Sequence, residues 1–307
     1  MARWFWLILL DAMALHAQEL KRPRITGVAH IALFSRDVSK SRGFYTGLLG
    51  YEEPFDVKQP DGSLSLTFFK INERQYIELF PEREPGADRL NHIALETDDA
   101  EGVRRYLASR GIQVPEKVPR GRTGNSNFTV RDPDGHGVEI VQYEPSGWTS
   151  RERGKYLGAG RVSESMIHVG ILVGAAEPAM RFYRDILGFR ETWRGSRDGK
   201  ELNWINLQVP DGTDYVEFML YRDLPAADNR GTPHHLCLVV PDLAKALAHL
   251  ESRPARKDYA RPIEGRVGTN RRRLANLYDP DGTRVEIMEP ATVDGTPAPP
   301  STAPPPR

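Results

Sequence analysis

Eight residues carry the chemistry of this sequence: four histidines and four glutamates, set in a relation that recurs. His30, His92, His168 and His235 each sit near the start of an apolar, β-branched stretch. The stretches are Val28-Ala29-His30-Ile31-Ala32-Leu33, Asn91-His92-Ile93-Ala94-Leu95, Ile167-His168-Val169-Gly170-Ile171 and His234-His235-Leu236-Cys237-Leu238. After offsets of 48, 47, 49 and 51 residues come Ile77-Glu78-Leu79, Val138-Glu139-Ile140, Val216-Glu217-Phe218 and Val285-Glu286-Ile287. Strand alternation sends the apolar neighbours of each Glu to one face and the Glu to the other, and does the same for each His. The faces that carry them also hold Tyr76, Phe80, Ala32 and Phe34, so they line a cleft rather than open water. A buried carboxylate and imidazole need a partner. A lone pair of this kind reads as an ion pair closing a polar gap; four at matched spacing point to a divalent metal. Two nitrogen and two oxygen donors suit Zn, Ni, Co, Mn or Fe without choosing among them. The other histidines, His234, His136, His249 and His16, are read as structural. Arg120, Arg122 and Asn125 are read as a solvated loop, although they could meet an anionic substrate.

These residues must be positioned by repeated elements. Residues 25–34 read as a strand, Asp37 or Ser39 caps a helix carrying Tyr45, Leu48 and Leu49 on one face, and Gly50 ends it. Strands at Ser63–Ile71 and Gln75–Phe80 follow. A second unit starts at Leu90, with a helix from Asp98-Asp99 to Gly111 and an Asp132-Pro133-Asp134-Gly135 turn before Glu139. The programme then restarts: Phe44-Tyr45-Thr46-Gly47-Leu48-Leu49-Gly50-Tyr51 returns as Phe182-Tyr183-Arg184-Asp185-Ile186-Leu187-Gly188-Phe189, and the turn returns as Asp279-Pro280-Asp281-Gly282. The expectation is an α+β fold of four βαβββ modules in two tandem domains, residues 25–145 and 166–290, each a curved mixed sheet around a metal cleft. Residues 146–165 have no apolar period and read as a linker. The Pro-rich residues 291–307 read as a disordered tail. Which modules pair in space is not fixed by the spacing.

A chain of 307 residues is long enough for two cores. Its 42 basic and 42 acidic residues cancel, so no global field favours nucleic acid or anionic lipid. A single cysteine, Cys237, excludes an intrachain disulfide and a Cys-rich metal site, and its strand setting implies a buried, inert thiol. Residues 1–20 combine Arg3, a short apolar run from Trp4 to Leu10 and the small residues Ala12, Ala14 and Ala17. That pattern predicts a signal peptide, too short for a membrane span, with the exported chain starting near Gln18. A cytoplasmic chain is the alternative.

The strand-one His, the Phe-Tyr-x-x-Leu-Leu-Gly helix end, the Asp-Pro-Asp-Gly turn and the last-strand Glu together resemble the vicinal oxygen chelate superfamily. That superfamily includes glyoxalases, bleomycin resistance proteins and extradiol dioxygenases, and the resemblance spans about residues 25–290. It implies one metal set of His30, Glu78, His92 and Glu139 and another of His168, Glu217, His235 and Glu286, acting on a small molecule with adjacent oxygens. The full two-His, two-Glu set is similar to bacterial glyoxalase I, a lyase whose ligand Glu moves the proton. Glu78, Glu139, Glu217 and Glu286 are the candidates for that role. Phe34 and Leu172 stand where that family holds glutathione with an Arg. The runner-up resemblance is to two-domain dioxygenases, with His168, His235 and Glu286 as an iron triad, although Asn276 stands in place of their Tyr and no His lies in 266–273. A non-catalytic, bleomycin-sequestering binder is the third reading. A homodimer is compatible with each.

Overall fold

A computed structural model describes residues 20–306. The leader therefore lies outside the described residues, apart from Leu20. Residues 27–142 build one seven-stranded sheet: β1 (Gly27–Ser35), β2 (Asp56–Lys58), β3 (Leu64–Lys70), β4 (Tyr76–Pro81), β5 (Leu90–Glu96), β6 (Ser126–Arg131) and β7 (Gly137–Gln142), in spatial order β2-β3-β4-β1-β5-β7-β6. A second sheet of eight strands holds β8 (Met166–Val173), β9 (Arg190–Gly195), β10 (Trp204–Gln208), β11 (Tyr215–Leu220), β12 (His235–Val239), β13 (Gly265–Val267), β14 (Arg272–Tyr278) and β15 (Arg284–Thr292). Its order is β13-β14-β15-β12-β8-β11-β10-β9. The first module pairs with the second and the third with the fourth. The α+β architecture of two curved mixed sheets is the expected one. Only the second module departs from βαβββ: its middle strand shrinks to a single bridge between Arg120 and Ser126, in a Gly-interrupted, polar loop.

Helices cover one face of each sheet. The helix of the first module, α1 (Val38–Arg42), is capped by Asp37 and widens into a π-turn over Gly43–Leu48. That of the second, α2 (Ala100–Ser109), is capped by Asp99, and its Val103, Tyr106 and Leu107 are buried. Ile31, Leu33, Ile77 and Leu79 point to this side and join the main core, which continues without a break into the second domain through Val169, Ile171 and Phe218.

The two repeated motifs are devices for docking the domains. The π-turn places Tyr45 so that its hydroxyl donates to Asp279 Oδ2 at 3.0 Å, and the matching Tyr183 donates to Asp132 Oδ2 at 3.1 Å. Each Asp spends its other oxygen on its own turn: Asp279 Oδ1 accepts from the amides of Asp281 and Thr283, and Asp132 Oδ1 from those of Asp134 and His136. Gly135 and Gly282 complete those turns at φ +88° and +86°, which a side chain would strain. The next Asp of each turn reaches across too, Asp134 to the amide of Gly174 and Asp281 to that of Arg36. Module one is thus stapled to module four, and module three to module two.

Two expected loose segments are ordered. Between the sheets, a short helix α3 (Trp148–Arg151) buries Trp148 against Phe55, Phe68 and Tyr76. The Pro-rich tail is a correction to the expectation of disorder. Proline carbonyls still accept hydrogen bonds, so the tail lies along the edge strand β9 and its neighbouring loop: Ser301 N donates to Arg194 O, Leu202 N donates to Pro304 O, and Ala303 is buried.

A polar contact at the domain boundary sets a pH dependence. Asp88 Oδ2 lies 3.1 Å from Arg230 Nη1, and Asp88 Oδ1 lies 3.4 Å from His234 Nε2 and accepts from the Leu90 amide. Burial alone would raise Asp88, but His234, Leu90 and Arg230 hold it at about 2, against an ordinary 3.8. A lowered carboxylate stabilises the fold above its ordinary value, and that contribution disappears as pH falls through about 2. Asp88→Asn should cost about 1–2 kcal/mol at neutral pH, after discount for partial exposure, with the gap to wild type closing in strong acid. Urea midpoints across pH measure it. The staples should be unequal. Asp132 Oδ2 retains His136 Nδ1 at 2.9 Å when its phenol is removed, whereas Asp279 Oδ2 has no second side-chain donor among the described residues. Tyr45→Phe should therefore cost about 1–3 kcal/mol and Tyr183→Phe less than half of that in the same assay.

Candidate metal centre

In the first sheet, the four expected ligands meet over a floor of two alanines. The antiparallel pair β1 and β5 sets His30 opposite Ala94 and His92 opposite Ala32. The parallel flanking strands set Glu78 beside Ala32 and Glu139 beside Ala94. Each functional side chain thus stands next to a methyl group, which leaves space above the strands. A β-bulge between Val28 and His30 inserts Ala29. It keeps Val28 in the core while turning His30 onto the cup face, a use of bulges common beside active sites.

The donor atoms converge. The Nε2 atoms of His30 and His92 are 3.0 Å apart. Glu78 Oε1 lies 3.5 Å from His30 Nε2, and Glu139 Oε2 lies 3.2 Å from His92 Nε2 and 3.9 Å from His30 Nε2. His92 Nδ1 bonds Asn91 Oδ1 at 2.9 Å, so this ring donates there and turns a bare Nε2 inward. Asn127 Nδ2 donates to Glu139 Oε1 at 2.8 Å, fixing that carboxylate from behind. Burial lowers His30 to about 3, so it is neutral. Burial and the charge on Glu139 push Glu78 well up, while His92, His30 and Asn127 outweigh burial at Glu139 and hold it at about 2. Two imidazole nitrogens and two carboxyl groups facing one point fit a divalent cation in donor type. The cup above them has a volume of about 210 Å³ and an aromatic wall of Phe68, Tyr76, Phe80, Tyr143 and Trp148. Arg122 and Asn125 line it as well: Asn125 is buried, which corrects its reading as solvated, whereas Arg122 stays exposed and donates to Ser65 Oγ at 2.7 Å. Arg120 pairs instead with Glu144.

The second sheet repeats the frame with a different outcome. His168 Nε2 and His235 Nε2 are 3.1 Å apart, and Glu217 Oε2 lies 3.3 Å from His235 Nε2 and 3.9 Å from His168 Nε2. Glu286 does not close this set. Its Oε1 accepts from the buried Cys237 thiol at 3.7 Å, and its Oε2 lies 4.0 Å from Arg284 Nη1. Donor atoms of His168, Glu217 and His235 lie within 4.8 Å of one another, and so do those of His168, Cys237 and Glu286, the two groups sharing His168. Among the described residues the remaining histidines do structural work: His234 accepts from the Leu172 amide, His136 supports Asp132, and His249 bonds Gly160 O.

Sequence reasoning missed Asn91, Asn127, Trp148 and Arg284. Asn91 is adjacent to a ligand and was findable; the others reach the site through pairings distant in sequence. Loss of metal from the first cup on His92→Ala is expected. Asn127→Leu should weaken metal binding by about 10–100-fold, read by competition with a chromogenic chelator.

Comparison with known proteins bears on both halves. The family described as Glyoxalase/Bleomycin resistance protein/Dioxygenase superfamily matches residues 27–140 and 165–287. A lactoylglutathione lyase of Schizosaccharomyces pombe is 23% identical over 296 residues, covering 86% of this chain and 90% of that protein. Two solved structures share the fold. The Mn(II)-bound glyoxalase from Novosphingobium aromaticivorans has a TM-score of 0.64 at 17% identity, over 87% of this chain and 82% of that one. An extradiol ring-cleaving dioxygenase from B. fuscum has a TM-score of 0.66 at 18% identity, over 93% and 77%.

Proposed function

The chain belongs to the glyoxalase/bleomycin resistance protein/dioxygenase superfamily, and on that premise we propose that its first domain is a divalent-metal-dependent lyase or isomerase acting on a small substrate with adjacent oxygens. The observation that carries this reading is the convergence of four donors, His30, Glu78, His92 and Glu139, in one cup. When bound there, a divalent ion acts as a Lewis acid that polarises a substrate carbonyl. The two carboxylates are not equivalent. Glu139 is tethered by Asn127, whereas Glu78 approaches only the two histidines among the described residues. Glu78 is therefore the carboxylate free to take a proton from the carbon next to the carbonyl and return it. The aromatic wall keeps water away from that carbon, and Arg122, the one Arg or Lys among the described residues lining the cup, meets an anionic substrate group. Phe34 in the place of an Arg argues against glutathione as the carrier thiol.

The aromatic wall also suits a catechol, which keeps a dioxygenase as the second reading. The second carboxylate, Glu78, weighs against it because it takes a position that dioxygen and substrate need.

The test begins with metal-free protein reloaded separately with Ni(II), Co(II), Mn(II), Zn(II) and Fe(II). Hemithioacetals of several thiols should be isomerised with more than one non-redox metal and without oxygen uptake. Glu78→Gln should lower turnover by about 10²–10⁴-fold. Oxygen consumption with catechols, confined to the iron form, would overturn the proposal. Export of the protein belongs to the same proposal: N-terminal sequencing from the native host should read a start near Gln18, and an intact Met1 in the cytoplasm would refute it.

A further inference from the structure

The strand registers align the two cups residue for residue, and around the first His and the last-strand Glu the second cup carries the bulkier side chains, although Gly170 stands where the first has Ala32. Ala94 and Cys237 stand opposite the first His of each domain, and Asn127 and Leu274 pair with Val141 and Met288. The bulge residues are Ala29 and Ile167. In the second domain Ile167, Cys237, Leu274 and Met288 pack together as an apolar layer. The cavity beside this sheet is lined by Tyr215, Trp193, Arg272 and the tail from Pro290 to Ala298, and none of His168, Glu217, His235 or Glu286 lines it.

The decisive replacement lies beneath that layer. Across the ladder His92 faces Gly137, but His235 faces Arg284. The Arg284 side chain is buried, with Nη2 2.9 Å from His235 Nε2 and Nη1 4.0 Å from Glu286 Oε2. Nη2 is also 2.8 Å from His235 Nδ1, which donates to Pro233 O at 2.9 Å, so the guanidinium lies against the imidazole ring, close to both of its nitrogens. A positively charged group therefore stands among the donors, where it opposes the entry of a second cation.

We infer that the second domain is a metal-free copy in which the Arg284 guanidinium is the resident cation, and that the chain binds one divalent ion and not two. The residue types of the ligand set remain, but the place of the ion is occupied by the protein itself. This inference stands independently of the reaction assigned to the first domain.

The experiment counts metal on the full-length chain by equilibrium dialysis against Ni(II) and elemental analysis. Wild type should hold one ion per chain and His92→Ala none. Arg284→Gly, which restores the residue found in the first cup, should hold two, falling to one in Arg284→Gly/His168→Ala. Two ions on wild type would overturn the inference. So would one ion retained by His92→Ala and lost on adding His168→Ala, or a folded Arg284→Gly that gains none. If Arg284→Gly does not fold by circular dichroism, the wild-type and His92→Ala counts decide alone. No ion on wild type would overturn both the count of one and the reading of the first domain.

Discussion

Two imidazole nitrogens about 3 Å apart, with carboxylates on either side and no bulk water around them, constitute an electrostatic demand for positive charge. The central four strands of each sheet create that demand by register alone: an antiparallel pair carries the histidines, and a parallel strand on each side carries a glutamate. The rest of each domain answers it in one of two ways. In the first, alanines and a glycine leave room for an ion from solution, with Asn91 and Asn127 bracing its ligands. In the second, bulkier side chains close the room and an arginine supplies the charge from within.

The features that made the family recognisable are mostly not the chemistry. The Phe-Tyr helix end and the Asp-Pro-Asp-Gly turn lie far from the ligands and meet each other across the domain boundary. Their sequence constraints are geometric: a widened helical turn to aim a phenol, and a turn whose first Asp serves two amides and still has an oxygen to offer. Motifs of this kind identify a scaffold and leave the reaction open.

The division between what the sequence revealed and what it concealed follows from this. Strand alternation is local, so the face shared by each His and Glu was legible, as were the Asp37 cap and the α+β class. Pairing of modules is not local, and the grouping of ligands into two sites had to wait for the sheet order. Arg284 follows the same turn that precedes Gly137, and as a sequence feature it is an unremarkable basic residue. Its significance depends on standing opposite His235. Trp148 and the tail carry no periodicity because they are single anchors on surfaces built by other elements.

The crossed staples have a consequence for what half of this chain would be. Tyr45 and Asp132 belong to one domain, yet each bonds its counterpart in the other: Tyr45 to Asp279, Asp132 to Tyr183. One domain alone therefore carries both halves of a self-complementary lock, a hydroxyl and a carboxylate that cannot satisfy each other within one copy. Two such halves would close on one another through a two-fold axis with a pair of identical contacts. In that sense the protein is a tethered dimer, and the tether is what allowed one subunit to keep an open cup while the other filled its own.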